Sequence, residues 1–259
     1  MQGKNAAACR EVGEKYFKSR RFKEAVEQFQ EYIWLNPNDA AGHHSLGMAY
    51  CELGDFAQAV DPFLRALRLG PEFAEVYHSL GLVYSELEQH EKAVRAFQDA
   101  IRLEPDSADN HCRLATSYLQ LQRPAEAIQS AKEALRLKPD SADGYLQLGC
   151  ALHCDSETFV EATAAYRKSL ELEPDQFVAL ANLGDLNLQI GRIEEARDFL
   201  VRAGNINPND PKLHHLLGQV YLRLGRRDEA LREREILKSL DPALSDALAK
   251  SLNGEPPNS

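Results

Sequence analysis

Glycines at positions 13, 47 and 81 stand 34 residues apart, Ala115 fills the next slot, and Gly149, Gly184 and Gly218 continue the column with one 35-residue step. A hydrophobic column runs just ahead of it: Val12, Leu46, Leu80, Leu114, Leu148, Leu183 and Leu217. Another runs just behind, through Tyr16, Tyr50, Tyr84, Tyr118, Leu152, Asn187 and Tyr221. Later in each unit come Ala25, Ala59, Ala93, Ala127, Ala162, Ala196 and Ala230. Each unit closes on a proline: Pro37, Pro71, Pro105, Pro139, Pro174, Pro208 and Pro242. A chain that repeats itself at this period is a stack of like units rather than a fold around one core.

Each column has a physical reading. The chain is rich in Ala, Leu and Glu and sparse in Val and Ile, which favours helix over strand. Tyr lies three residues after Gly and four after Leu, on one stripe of a first helix, and the small residue lets a second helix approach closely. A turn such as Leu53-Gly54-Asp55 breaks the first helix, and Asp55 is placed to cap the second. That second helix carries the Ala column and Phe29, Phe63, Phe97 or Tyr166. Proline ends the unit, because it cannot continue a helix.

Column by column, the pattern resembles the tetratricopeptide repeat (TPR) family, with its 34-residue helix–turn–helix of Leu-Gly, Tyr, Ala, Phe and Pro. The resemblance covers seven tandem repeats within residues 1–242, at approximately 6–39, 40–73, 74–107, 108–141, 142–176, 177–210 and 211–242. It implies an all-α fold, an α-solenoid in which antiparallel helix pairs wind into a right-handed superhelix. Residues 243–252 place Leu244, Leu248 and Leu252 on one helical face and read as a capping helix. Residues 253–259, ending EPPNS, read as a disordered tail.

Charge bears on partners. The net charge of −10 disfavours a phosphate backbone, so no nucleic-acid partner is expected. The distribution is uneven: residues 1–23 carry seven Lys/Arg against two Glu, and residues 40–107 carry five against eleven Asp/Glu. A basic or polar partner segment suits that acidic block better than an acidic one. The stretch Arg223, Arg226 and Arg227 is balanced by Asp228 and Glu229. No apolar run is long enough to span a membrane, the N-terminus lacks a secretory core, and five cysteines make no disulfide framework. An intracellular, cytoplasmic setting is the expectation.

No column supplies a nucleophile–base pair, a phosphate loop or a paired-carboxylate pocket, so the chain reads as non-enzymatic, with no cofactor. The resemblance implies a scaffold or adaptor whose first helices line a concave groove that binds a peptide or helix of another protein. Carried over slot by slot, that groove is lined by His44, Ser45, Met48, His78, Ser79, Leu82, Cys112, Arg113, Thr116, Gln147, Cys150, Asn182, Asp185, His215 and Gln219. Alternatives are a regulatory TPR arm of an enzyme such as an O-linked N-acetylglucosamine transferase, or a self-associating assembly scaffold. The asparagine ladder of that transferase arm is matched only at Asn182. The clamp for acidic chaperone tails is disfavoured, because Glu14 and Glu75 occupy slots where it needs Asn and Lys.

Other residues have local readings. Cys150, His153 and Cys154 fall at i, i+3 and i+4 of one helical face, a spacing that suits zinc; they are a weak candidate, on a scaffold that needs no metal. The extra residue of the fifth repeat lengthens the turn after them, and Thr158 to Glu161 matches a capping box. His43, His111 and His214 read as hydrogen-bonded core residues. His44, His78 and His215 share a slot but are interrupted by Cys112, Leu146 and Ala181, which argues against a histidine row. Pro62, inside a second helix, is expected to kink it.

Overall fold

The computed structural model describes residues 5–70 and 73–254. The expected tail from residue 255 onward lies outside the described residues. Fifteen α-helices and one 3-10 turn account for the elements among them, with no strand. The chain forms two compact units, Met1–Leu137 and Lys138–Ser259.

The first unit holds four helix pairs: α1 (Ala6–Lys18) with α2 (Phe22–Leu35), α3 (Ala40–Glu52) with α4 (Phe56–Leu69), α5 (Ala74–Glu86) with α6 (His90–Leu103), and α7 (Ala108–Gln120) with α8 (Pro124–Leu137). The second holds three pairs and an extra helix. These are α9 (Ala142–Leu152) with α10 (Phe159–Leu172), α11 (Phe177–Gln189) with α12 (Ile193–Ile206), α13 (Pro211–Arg223) with α14 (Arg227–Leu240), and α15 (Pro242–Leu252). Within a unit each second helix also packs on the first helix of the next pair. First helices touch each other as well: α3 with α5, α5 with α7, α9 with α11, α11 with α13. Within each unit they form one row, the one expected to be inner.

Close approach within a pair rests on the small-residue column. A Cβ added to Gly13, Gly47, Gly81 or Gly149 would lie 2.6–2.7 Å from the ring of Phe29, Phe63, Phe97 or Tyr166, respectively. Those four rings are essentially fully buried. In the sixth repeat Leu200 stands over Gly184 in the same way.

The turns within repeats are set by the backbone. In the first, Arg20 adopts φ 58°, its N–H donates to Phe17 O at 3.0 Å, and Arg21 N–H donates to Tyr16 O at 2.9 Å. These two bonds are a Schellman motif, which satisfies the last carbonyls of the helix. The same left-handed position recurs at Gly54, Glu88, Gln122, Gly191 and Gly225. The chain therefore enters most second helices without a side-chain cap. Asp55 makes no capping bond, contrary to expectation: its ψ of 55° lacks the extended geometry of Asp39, ψ 106°, which does cap α3. Ser107, Ser141 and Asp210 likewise cap first helices.

The fifth repeat turns differently. Asp155 caps a 3-10 turn at Ser156–Thr158, accepting from Glu157 N–H at 3.0 Å. The Thr158 hydroxyl lies against the carbonyls of Leu152 and Asp155 instead of capping α10, so the expected capping box does not form. Helix α4 runs unbroken through Pro62, which is buried.

Candidate functional site

The inner row of the first unit carries nine of the expected groove residues. His44, Ser45 and Met48 are half-buried on α3. The His44 ring lies 5.6 Å from that of Phe63, and its Nε2 is buried without a hydrogen-bond partner. Burial holds this imidazole below its ordinary pKa, against the pull of Glu75. On α5, His78 Nδ1 donates to Asn110 Oδ1 at 2.6 Å, and its Nε2 lies 3.7 Å from Asp109. Ser79 is buried; its hydroxyl donates to Glu75 O at 2.9 Å and lies 3.6 Å from Met48 Sδ. Leu82 is half-buried. On α7, Cys112 is buried, Thr116 donates back to Cys112 O at 3.1 Å, and exposed Arg113 sits 3.4 Å from Asp109. Ser79 and Cys112 thus leave little surface to a ligand, and the Ser79 and Thr116 hydroxyls spend their protons on their own helices.

The second unit carries the other six, all half-buried: Gln147, Cys150, Asn182, Asp185, His215 and Gln219. Asn182 Nδ2 reaches Cys150 Sγ at 3.4 Å, and burial raises that thiol's pKa. Asp185 accepts from Gln189 at 3.2 Å and lies 4.0 Å from Lys212. Gln219 donates to His215 Nε2 at 2.8 Å, while His215 Nδ1 is buried without a partner. Burial lowers the His215 pKa too.

The candidate zinc trio is not gathered. Helix α9 ends at Leu152, so His153 is its C-cap and Cys154 lies beyond, exposed. The His153 ring stands edge-on to Phe159 and Tyr166, with Nδ1 3.4 Å from Tyr166 Oη and Nε2 3.3 Å from Gln189. Cys154 Sγ turns back to Cys150 O at 3.5 Å. Among the described residues no three His, Cys, Asp or Glu side chains are grouped to hold a metal ion.

Three further histidines are structural. Nε2 of His43, His111 and His214 donates to the carbonyl of Pro37, Pro105 and Pro208, at 2.9, 3.3 and 2.8 Å. Each imidazole thereby ties a first helix to the proline that ends the preceding repeat. His214 also meets Glu233, Nδ1 to Oε2 at 2.6 Å, a pairing across 19 residues that repeat spacing gives no sign of.

Tetratricopeptide-repeat family models match residues 155–220, 78–142 and 211–235, and a TPR repeat model matches 47–88. The chain belongs to the tetratricopeptide repeat family. No curated protein sequence gives a significant match. Among solved structures, a TPR protein from Parabacteroides merdae superposes with TM-score 0.78 at 16% identity, covering 96% of this chain and 98% of that one. Pseudomonas aeruginosa PilF gives 0.70 at 20%, covering 82% and 97%. YrrB, described as a TPR protein with an unusual peptide-binding site, gives 0.58 at 24%, covering 73% and 97%. At such identities these likenesses speak for the TPR fold. Among the described residues no helix is long and apolar enough to cross a membrane.

Proposed function

We propose that this TPR protein is a non-catalytic scaffold whose inner rows hold a peptide or helix of a partner protein. The observation that carries the reading is an open cleft of about 280 Å³ on the inner row of the first unit, bordered by His44, Ser45 and Met48. The peptide-binding description of YrrB supports the same use of the fold. In this reading the seven repeats are the binding module, α15 is its cap, and the five cysteines, none of them in a disulfide, belong to a reducing compartment.

The test is capture of a partner by the full chain, followed by Met48→Glu, Arg113→Glu and Asn182→Ala. Loss of capture with at least one variant, at unchanged thermal stability, supports the reading. Retention by all three sinks it.

A further inference from the structure

The cleft of the first unit has a chemical bias. Its floor is the Phe29 ring, and Phe17 and Met48 add apolar walls. At about 280 Å³ it is smaller than most small-molecule sites, which run about 300–1,000 Å³, and it suits one long side chain of a larger ligand. Glu14, Lys18 and Glu75 complete its rim.

These rim charges are not equally free. Glu14 is held by Arg10 at 2.9 Å. Glu75 is exposed and has no ion pair among the described residues. The same is true of Glu52 and Glu86, four residues beyond Met48 and Leu82 on their helices and so on the same faces. Arg113 is already offset by Asp109 at 3.4 Å. Lys18 is the rim's cation, on α1, while Glu75 belongs to α5. Lys18 has no ion pair among the described residues either, but against Glu52, Glu75 and Glu86 it leaves the unanswered charge of this surface net negative, in line with the eleven acidic against five basic residues of 40–107.

The geometry points to this cleft as the anchor site for a single lysine or arginine side chain of an extended partner segment. The aliphatic stem lies on Phe17 and Met48, and the head group reaches the exposed Glu75 carboxylate. Long cations commonly divide themselves in this way, with the stem on apolar surface and the charge in a wetter, anionic setting. A purely apolar anchor would fill the floor and leave Glu75 unanswered; an acidic one would be repelled by Glu75. The inference rests on the peptide-groove reading above and specifies its ligand.

A phage-displayed library of random short linear peptides, selected on the full chain, tests it. Enriched sequences are expected to share one Lys or Arg. By fluorescence anisotropy, replacing that residue with norleucine should weaken binding about tenfold, the scale of a lost charge-assisted hydrogen bond. Glu75→Gln should cost a similar factor against the basic peptide and nothing further against the norleucine peptide. Peptides that lose binding to Met48→Glu yet carry a Leu, Phe, Asp or Glu anchor would overturn the basic anchor while leaving the groove reading intact. Failure to enrich any peptide whose binding depends on Met48 overturns both.

Discussion

Leu248 of the last helix packs over Gly218 in the position that an aromatic ring takes over Gly13, Gly47, Gly81 and Gly149. The seventh repeat places Arg234 where Phe or Tyr belongs, and its Nε is buried without a hydrogen-bond partner. An arginine cannot fill an apolar slot against a glycine, so α15 supplies the missing side chain from outside the repeat. Helix α15 is therefore part of the seventh repeat's core, through Leu248 and Leu252 beside Leu237.

Leu248→Ala should consequently cost about 2–5 kcal/mol, as for a fully buried leucine in a packed core. Leu244→Ala, at a half-buried position of the same helix, should cost clearly less. Urea melts of the two variants provide the comparison. Equal and small losses would mean that α15 does not complete the repeat.

The glycine column and the turn positions are sensitive for different reasons. A Cβ at Gly81 meets the buried Phe97 ring at 2.6 Å, so Gly81→Ala should cost about 1–3 kcal/mol through overpacking. At Gly54 a Cβ meets nothing within 4 Å, but φ is 77°, so alanine there should cost about 1 kcal/mol through the backbone alone. Gln122 holds φ 56° with a side chain, so Gln122→Gly should stabilise by about 0.5–1 kcal/mol. Thermal denaturation that gave all three the same sign would contradict this assignment.

Much of this architecture is legible as columns of residues. Helix pairing, the Gly–ring contacts and the buried Ala column follow from periodicity, because spacing fixes which side chains share a face. The turns are less legible: a Schellman motif depends on one residue's φ, and Arg20, Glu88 and Gln122 stand where a glycine would have announced it. Slot assignment also places Ser79 and Cys112 on the inner row but cannot show how deeply each sinks between neighbouring helices. The cap's leucine stripe is visible in the sequence, yet its target, Gly218, lies 30 residues away and is found only in three dimensions.

Thr158 illustrates the same limit, since its spacing to Glu161 suggests a capping box that does not form. Its hydroxyl instead serves Leu152 O and Asp155 O. Thr158→Val should cost about 1 kcal/mol, the net worth of a lost hydrogen bond. Glu161→Ala, on the exposed face of α10, should stay within about 0.5 kcal/mol of wild type. The reverse order in chemical denaturation would restore the capping box.

Burial gives stability a pH dependence. The pKa values of His44, His153 and His215 are lowered chiefly by desolvation, opposed by Glu75 at His44, by Asp185 at His153, and by the Leu244 backbone and Asp241 at His215. A base whose folded pKa is depressed takes up its proton first in the unfolded chain. Stability should therefore be full above the ordinary imidazole pKa of about 6.5 and fall as pH drops below it, until the lowered folded values are passed. Melting temperatures across this range should show that decline, and His44→Asn should flatten it. A curve unaffected by the substitution would assign the pH dependence to other groups.

The cysteines at the end of α9 should behave as thiols of unequal access rather than as metal ligands. Cys154 is exposed, whereas Cys150 is half-buried with its pKa raised by burial and Cys51 is pushed up to about 11 by the same cause. A buried, neutral thiol is a poor nucleophile and a poor ligand for zinc. Titration with a disulfide reagent at mildly alkaline pH should therefore show Cys154 reacting first, with that phase abolished in Cys154→Ser and Cys51 reacting much later. Protein purified under reducing conditions should carry less than about a tenth of an equivalent of zinc, because a four-ligand structural site has no complete ligand set here. One equivalent of zinc, lost in Cys150→Ser, would show that the turn rearranges around a metal.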